Sequence, residues 1–139
     1  MGVTFVISGH SVPALKKALS CLAKFGDEID ITAASHCLKF SSVNSSRSAF
    51  GLFEFSKAFF VSYKAVNPDR DGKPIRFCVN ARALNHTMKR RTQGDVESLE
   101  WHVTDGHPDH SRLDADECRI IVKLHCSHGK LCSASASVT

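Results

Sequence analysis

The last third of the chain gathers the side chains best suited to hold a metal. His107, His110, Cys118, His125, Cys126, His128 and Cys132 all lie there, and thiolate and imidazole are the ligands that zinc prefers. Their spacing argues against a site. The sequence has no CxxC pair and no finger-like succession of Cys and His pairs. Neighbouring residues of a strand point to opposite faces, so His125 and Cys126 cannot both reach one ion from a strand. A Cys- and His-rich loop and strand end accounts for the group, and no metal ligand or cofactor is assigned.

Two acidic groups raise the question of nuclease chemistry, which commonly needs carboxylates converging on a divalent metal. Asp27, Glu28 and Asp30 read as a turn and the exposed side of a strand, while Asp114, Asp116 and Glu117 fall in a polar loop. Neither group marks an active site. The chain also lacks a Gly-rich phosphate loop, a serine nucleophile elbow and a Cys–His nucleophile motif, so no catalytic residue is named. Ser45, Ser46 and Ser48 around Arg47 could form an anion nest or a phosphosite. Hairpin geometry, with the hydroxyls satisfying turn amides, is the plainer reading.

Positive charge remains. Lys16, Lys17 and Lys24 fall in one segment, and Arg82, Lys89, Arg90 and Arg91 in another. Cations concentrated in this way attract phosphates without reading bases. The solvated face of an ordinary amphipathic helix has the same composition. The net charge of +4 only mildly favours an anionic partner.

The elements that must carry these residues follow from periodicity. Val3, Phe5 and Ile7 alternate as a first strand. Ser11 is placed to cap a helix with Pro13 in its first turn, and Val12, Leu15, Leu19 and Leu22 recur at helical spacing. Lys17 and Lys24 fall on the opposite face with Lys16 on its flank, and Gly26 suits the residue after the helix. Strands are expected at Ile29–Ala33, Cys37–Val43 and Ser48–Phe55, the last two joined by a turn at Asn44-Ser45-Ser46. Ser56–Val66 is ambiguous, and residues 67–74 form a polar loop. A fifth strand from Ile75 leads to Asn80, which can cap a second helix over Ala81–Arg91 with Ala81, Leu84 and Met88 as its apolar stripe. Val96–Thr104 and Cys118–His125 read as strands, and Leu131–Thr139 as a weak last strand or a tail. The order predicts an α+β fold, two helices packed on one face of a mainly antiparallel sheet.

Composition bounds the class. A chain of 139 residues with 42% hydrophobic and 23% charged residues suits one globular domain. No apolar run approaches the roughly 20 residues that span a bilayer, so no membrane partner is expected. The first residues lack a basic region and a long apolar core, and Val6 breaks the myristoylation pattern. Cytoplasm or nucleus is then expected, with the six cysteines mostly reduced.

The string SVNSSRSAF at residues 42–50 closely resembles the hairpin of the Rad-nine family, the checkpoint sliding-clamp subunit of the nine-one-one DNA-damage clamp. The following FEFSKAFFVSY is similar as well, and ECRIIVKLHCSHG more weakly so. The resemblance implies a DNA-clamp domain like that of proliferating cell nuclear antigen. Residues 1–130 would be the N-terminal clamp domain and 131–139 a last strand or disordered tail, with the family's second clamp domain absent. It further implies a nuclear, non-enzymatic subunit of a heterotrimer with two other subunits of the same fold. Sheets would form the outer wall, and helices would line a channel around duplex DNA bound without sequence preference. A clamp loader and checkpoint and repair proteins would be further partners. On that reading Lys16, Lys17, Lys24, Arg82, Lys89, Arg90 and Arg91 face DNA, and Ser48, Phe50, Leu52 and Glu54 form an interface edge. The alternatives are a small zinc-stabilised intracellular binding domain or a 3′-to-5′ exonuclease, an activity claimed for the family.

Overall fold

Nine strands and two α-helices make up the computed structural model, which describes residues 2–66, 73–89, 96–105, 118–126 and 131–137. In order these are β1 (Gly2–Ser8), α1 (Val12–Ala23), β2 (Glu28–Ala33), β3 (Cys37–Val43), β4 (Phe50–Ser56), β5 (Ser62–Val66), β6 (Ile75–Asn80), α2 (Ala81–Lys89), β7 (Val96–Asp105), β8 (Cys118–Cys126) and β9 (Leu131–Ser137). The ambiguous stretch after β4 resolves into a 3₁₀ turn, Lys57–Phe59, followed by β5.

The strands divide between two sheets, ordered β5-β1-β7-β8-β9 and β4-β3-β2-β6. Chain order explains the division. The segments β1-α1-β2-β3-β4 and β6-α2-β7-β8-β9 repeat one pattern, a strand, a helix and three strands. Each repeat lends its first strand to the other: β1 pairs with β7, and β6 pairs with β2. A strand returning from a helix to lie beside the strand it left would pair in parallel. The exchange avoids that, and all the pairings are antiparallel. Periodicity reveals which side chains face inward but not which strand lies alongside, so the second sheet was not visible in the sequence.

The inward side chains follow the two-residue alternation of a half-buried strand. Val3, Phe5 and Ile7 of β1, Ile29, Ile31 and Ala33 of β2, Leu99, Trp101 and Val103 of β7, and Ile120, Val122 and Leu124 of β8 are buried. Aromatic rings link the two sheets. Phe5 stacks on Trp101 at 5.1 Å, Trp101 meets Phe40 of β3 at 6.0 Å, and Phe40 meets Phe55 of β4 edge-on at 5.8 Å. Each large side chain of this kind contributes about 1.5–3 kcal/mol when fully buried. Tyr63 closes the cluster, its hydroxyl donating toward the Ala34 carbonyl at 2.5 Å with the Cys37 carbonyl at 3.0 Å. Burial pushes its phenol up to about 12.

Both helices cover this core and pack on each other, α1 over β2, β3 and β4 and α2 against β6 and β9. Two local expectations need correction. Ser11 precedes α1 as predicted, but it is already helical in conformation and makes no side-chain cap. A 3₁₀ turn, Gly9–Ser11, leads into the helix, and the Ser11 hydroxyl meets that of Ser8 at 3.4 Å. Gly26 does not terminate α1 by a left-handed conformation. It is required by closeness, because a Cβ there would lie 2.4 Å from the Val43 carbonyl oxygen. In the β3–β4 hairpin Arg47 takes the left-handed conformation, at φ 57°. Asn80 does cap α2, its Oδ1 accepting from the Ala83 N–H at 3.0 Å.

Candidate nucleic-acid interface

The exposed surface of α1 is built by residues one helical turn apart. Ala14, Lys17, Cys21 and Lys24 are exposed, Lys16 is half-buried on the flank, and Val12, Leu15, Ala18, Leu19 and Leu22 face the core. On α2, Ala81, Leu84, Thr87 and Met88 turn inward, and Arg82, Ala83 and His86 are exposed. The Thr87 hydroxyl is satisfied in place by the Ala83 carbonyl at 2.8 Å. Lys89 is the last residue of α2, with its side chain outside the described residues, and Arg90 and Arg91 lie outside them altogether.

The two helices meet along a seam crossed, among the described residues, by a polar contact. The Ser20 hydroxyl donates to Asn85 Oδ1 at 3.0 Å. Lys17 and Lys24 lie one turn to either side of Ser20, and Arg82 lies one turn before Asn85. The contact therefore sits among the exposed cations of both helices. Neither helix contains an acidic residue. The acids among the described residues are Asp27 in the turn after α1 and Glu28, Asp30, Glu54, Glu97, Glu100 and Asp105 on strands. Among the described residues the acids thus lie on strands or in the turn after α1, and the helices carry cations without acids. His86, exposed on the polar side of α2, was not among the site residues expected from the sequence. Its place one turn after Arg82 was the available signal.

The strand layer carries its own polar features. Glu100 on β7 lies between two imidazoles: its Oε1 is 2.5 Å from His102 Nε2 and its Oε2 is 3.1 Å from His125 Nε2. Those hydrogen bonds, His125 first and then His102, hold the Glu100 carboxyl below the usual glutamate range. Cys37 is buried, and desolvation followed by the nearby charge of Glu54 pushes its thiol up. Among the described residues no group of three His, Cys, Asp or Glu side chains is arranged to hold a metal ion. His107, His110 and His128, together with Asp114, Asp116 and Glu117, fall outside those residues, so the structure does not bear on them.

The edge candidates separate. Phe50, Leu52 and Glu54 lie on β4, exposed, at one border of the four-stranded sheet. Ser48 lies in the turn before the strand, where its hydroxyl accepts from Asn44 Nδ2 at 2.8 Å and meets Ser46 Oγ at 2.9 Å. The turn amide of Ala49 is satisfied by Asn44 Oδ1 at 3.0 Å rather than by a serine. Asn44 can close the loop because its amide both donates and accepts.

With this geometry in hand, a comparison with known families is decisive. A family model described as Rad9 matches residues 15–132, most of the chain. The chain belongs to the Rad9 family. The matched span takes in α1 from Leu15 onward, all of α2, the β3–β4 hairpin and strands β2 through β8. The crystal structure of PCNA from Thermococcus kodakaraensis is similar in fold, with a TM-score of 0.64 at 12% identity. The match covers 97% of this chain and 46% of that one, so the Rad9-family chain spans about half of the PCNA chain it resembles. Two helices over two antiparallel sheets are thus the α+β architecture of a PCNA-type clamp domain.

Proposed function

We propose that this Rad9-family chain acts as a clamp-domain component of a heterotrimeric DNA-damage checkpoint clamp in the nucleus. It would be a non-enzymatic part of a ring that encircles duplex DNA and gives checkpoint and repair proteins a place to dock. The observation that carries this reading is the acid-free, cationic surface of α1 and α2, pinned together by Ser20 and Asn85. A ring that slides needs phosphate attraction with no base readout, and lysine and arginine on a helical surface supply that. Lys17, Lys24 and Arg82 are the proposed phosphate contacts among the exposed side chains, with Lys16 on the flank. Lys89, Arg90 and Arg91 extend the same basic run in sequence. Two subunits of the same fold would complete the ring through strand edges. Phe50, Leu52 and Glu54, on β4 at a border of the four-stranded sheet, would form an interface edge for a strand of the family's second clamp domain.

The test is charge reversal in the assembled clamp. Changing Lys17, Lys24 and Arg82 to Glu should weaken retention on duplex DNA whatever its sequence, and the deficit should shrink at high salt. Full retention by a correctly assembled variant ring would contradict the proposal.

A further inference from the structure

The two helices of this chain repeat one burial pattern. From its first residue, Val12, α1 runs buried, exposed, exposed, buried, half-buried, exposed, buried, buried as far as Leu19. From its first residue, Ala81, α2 runs through the same succession as far as Met88. Each helix follows the first strand of its repeat, so the match relates equivalent positions of one packing arrangement. Leu15 corresponds to Leu84, Ala14 to Ala83 and Lys16 to Asn85. The next position, exposed in both helices, holds Lys17 on α1 and His86 on α2.

The imidazole at that position has no protein partner among the described residues: no hydrogen bond, ion pair or ring contact engages it. α1, β6 and β9 are the elements packed against α2, and none of them contains an acidic residue. Their charged and titratable groups are Lys16, Lys17 and Cys21 of α1, with Lys24 at its end, Arg76 and Cys78 of β6, and Cys132 of β9. On α2 itself Arg82 lies one turn before His86 and Lys89 one turn after it. Asp27 borders the start of the helix, where its backbone carbonyl accepts from the Ala81 N–H at 2.8 Å, more than a turn before His86.

An imidazole is the side chain whose charge ordinarily changes between about pH 5 and 8, whereas a lysine ammonium stays charged throughout that range. An anion held within about 4–6 Å favours the protonated ring. The effect is reciprocal: whatever a phosphate adds to the hold on the proton, the proton adds to the hold on the phosphate.

We propose that His86 is a proton-dependent contact to duplex phosphates, the α2 counterpart of Lys17, so that the chain holds DNA more tightly at about pH 6 than at about pH 8. The inference rests on the reading of the helical surface as the one that faces the duplex. At the lower pH one more phosphate is neutralised, so more counterion is released on binding. The other histidines whose side chains are described lie off the helices. His10 is in the turn before α1, His36 is between β2 and β3, and His102 and His125 flank Glu100 on the strands.

The test is the affinity of the 139-residue chain for one short duplex at these two pH values, over a range of salt. The parent should bind severalfold tighter at the lower pH. Its plot of the logarithm of affinity against that of salt should be steeper there by about 1. His86→Gln should bind at both pH values as the parent does at the higher one, and His86→Lys as the parent does at the lower. The NMR titration midpoint of the His86 ring should move to higher pH when duplex is added. Equal binding by the parent at both pH values would overturn the proposal. So would a pH response that survives His86→Gln undiminished, or one that vanishes with His10→Gln instead. Binding that weakens on Lys17→Ala yet ignores pH would leave the helical surface as the duplex-facing one and defeat this proposal alone. No binding at either pH would remove that reading and the proposal together.

Discussion

Ser20 on α1 donates its hydroxyl to the side-chain oxygen of Asn85 on α2 across 3.0 Å. Both residues are half-buried at the seam between the helices, with exposed cations to either side. Mutual repulsion of those cations opposes close packing, and a neutral hydrogen bond at the seam offsets part of it without adding charge. Ser20→Ala should lower unfolding free energy by about 1 kcal/mol, the usual net worth of one such bond. A double-mutant cycle with Asn85→Ala, followed by urea unfolding, should return a coupling of about 0.5–1 kcal/mol. Additive losses would mean the two side chains do not support each other.

Gly26 and Gly2 make a matched pair for testing how tightly α1 is tied to the sheet beneath it. A Cβ at Gly26 would press on the Val43 carbonyl oxygen, a backbone atom that cannot rotate away, whereas one at Gly2 would meet nothing within 4 Å. Gly26→Ala should therefore cost about 1–3 kcal/mol, as overpacking does. Gly2→Ala should stay within about 0.5 kcal/mol of the parent, like most surface changes. Thermal or denaturant unfolding of both variants measures the contrast. Equal stability would show that the end of β3 yields easily to the turn after α1.

Much of the fold was legible because it rests on local patterns. Alternation placed β1, β2, β3, β7 and β8 to within a residue or two, and the Leu15, Leu19, Leu22 and Leu84, Met88 spacings placed both helices. The polar faces of those helices could be read in the same way, which is why Lys17, Lys24 and Arg82 are exposed where periodicity set them. What escaped depends on contacts distant in sequence. The exchange of β1 and β6 between repeats, the Ser20–Asn85 bond and the approach of Val43 to Gly26 all join segments that no short window contains. Ser11 misled because a good capping residue type is no guarantee of a cap once a 3₁₀ turn precedes the helix.

The central claim, that the helical layer holds duplex DNA by its phosphates alone, is tested most directly by the salt dependence of binding. Association of the chain with two duplexes of unrelated sequence should be equally strong at each salt concentration. Plots of the logarithm of affinity against that of salt should be linear with negative slope, reflecting counterion release. Removing one phosphate contact, by Lys17→Ala or Arg82→Ala, should weaken binding to both duplexes alike and make the slope shallower by about 1. A clear preference for one duplex, or a slope unchanged by both substitutions, would contradict the account.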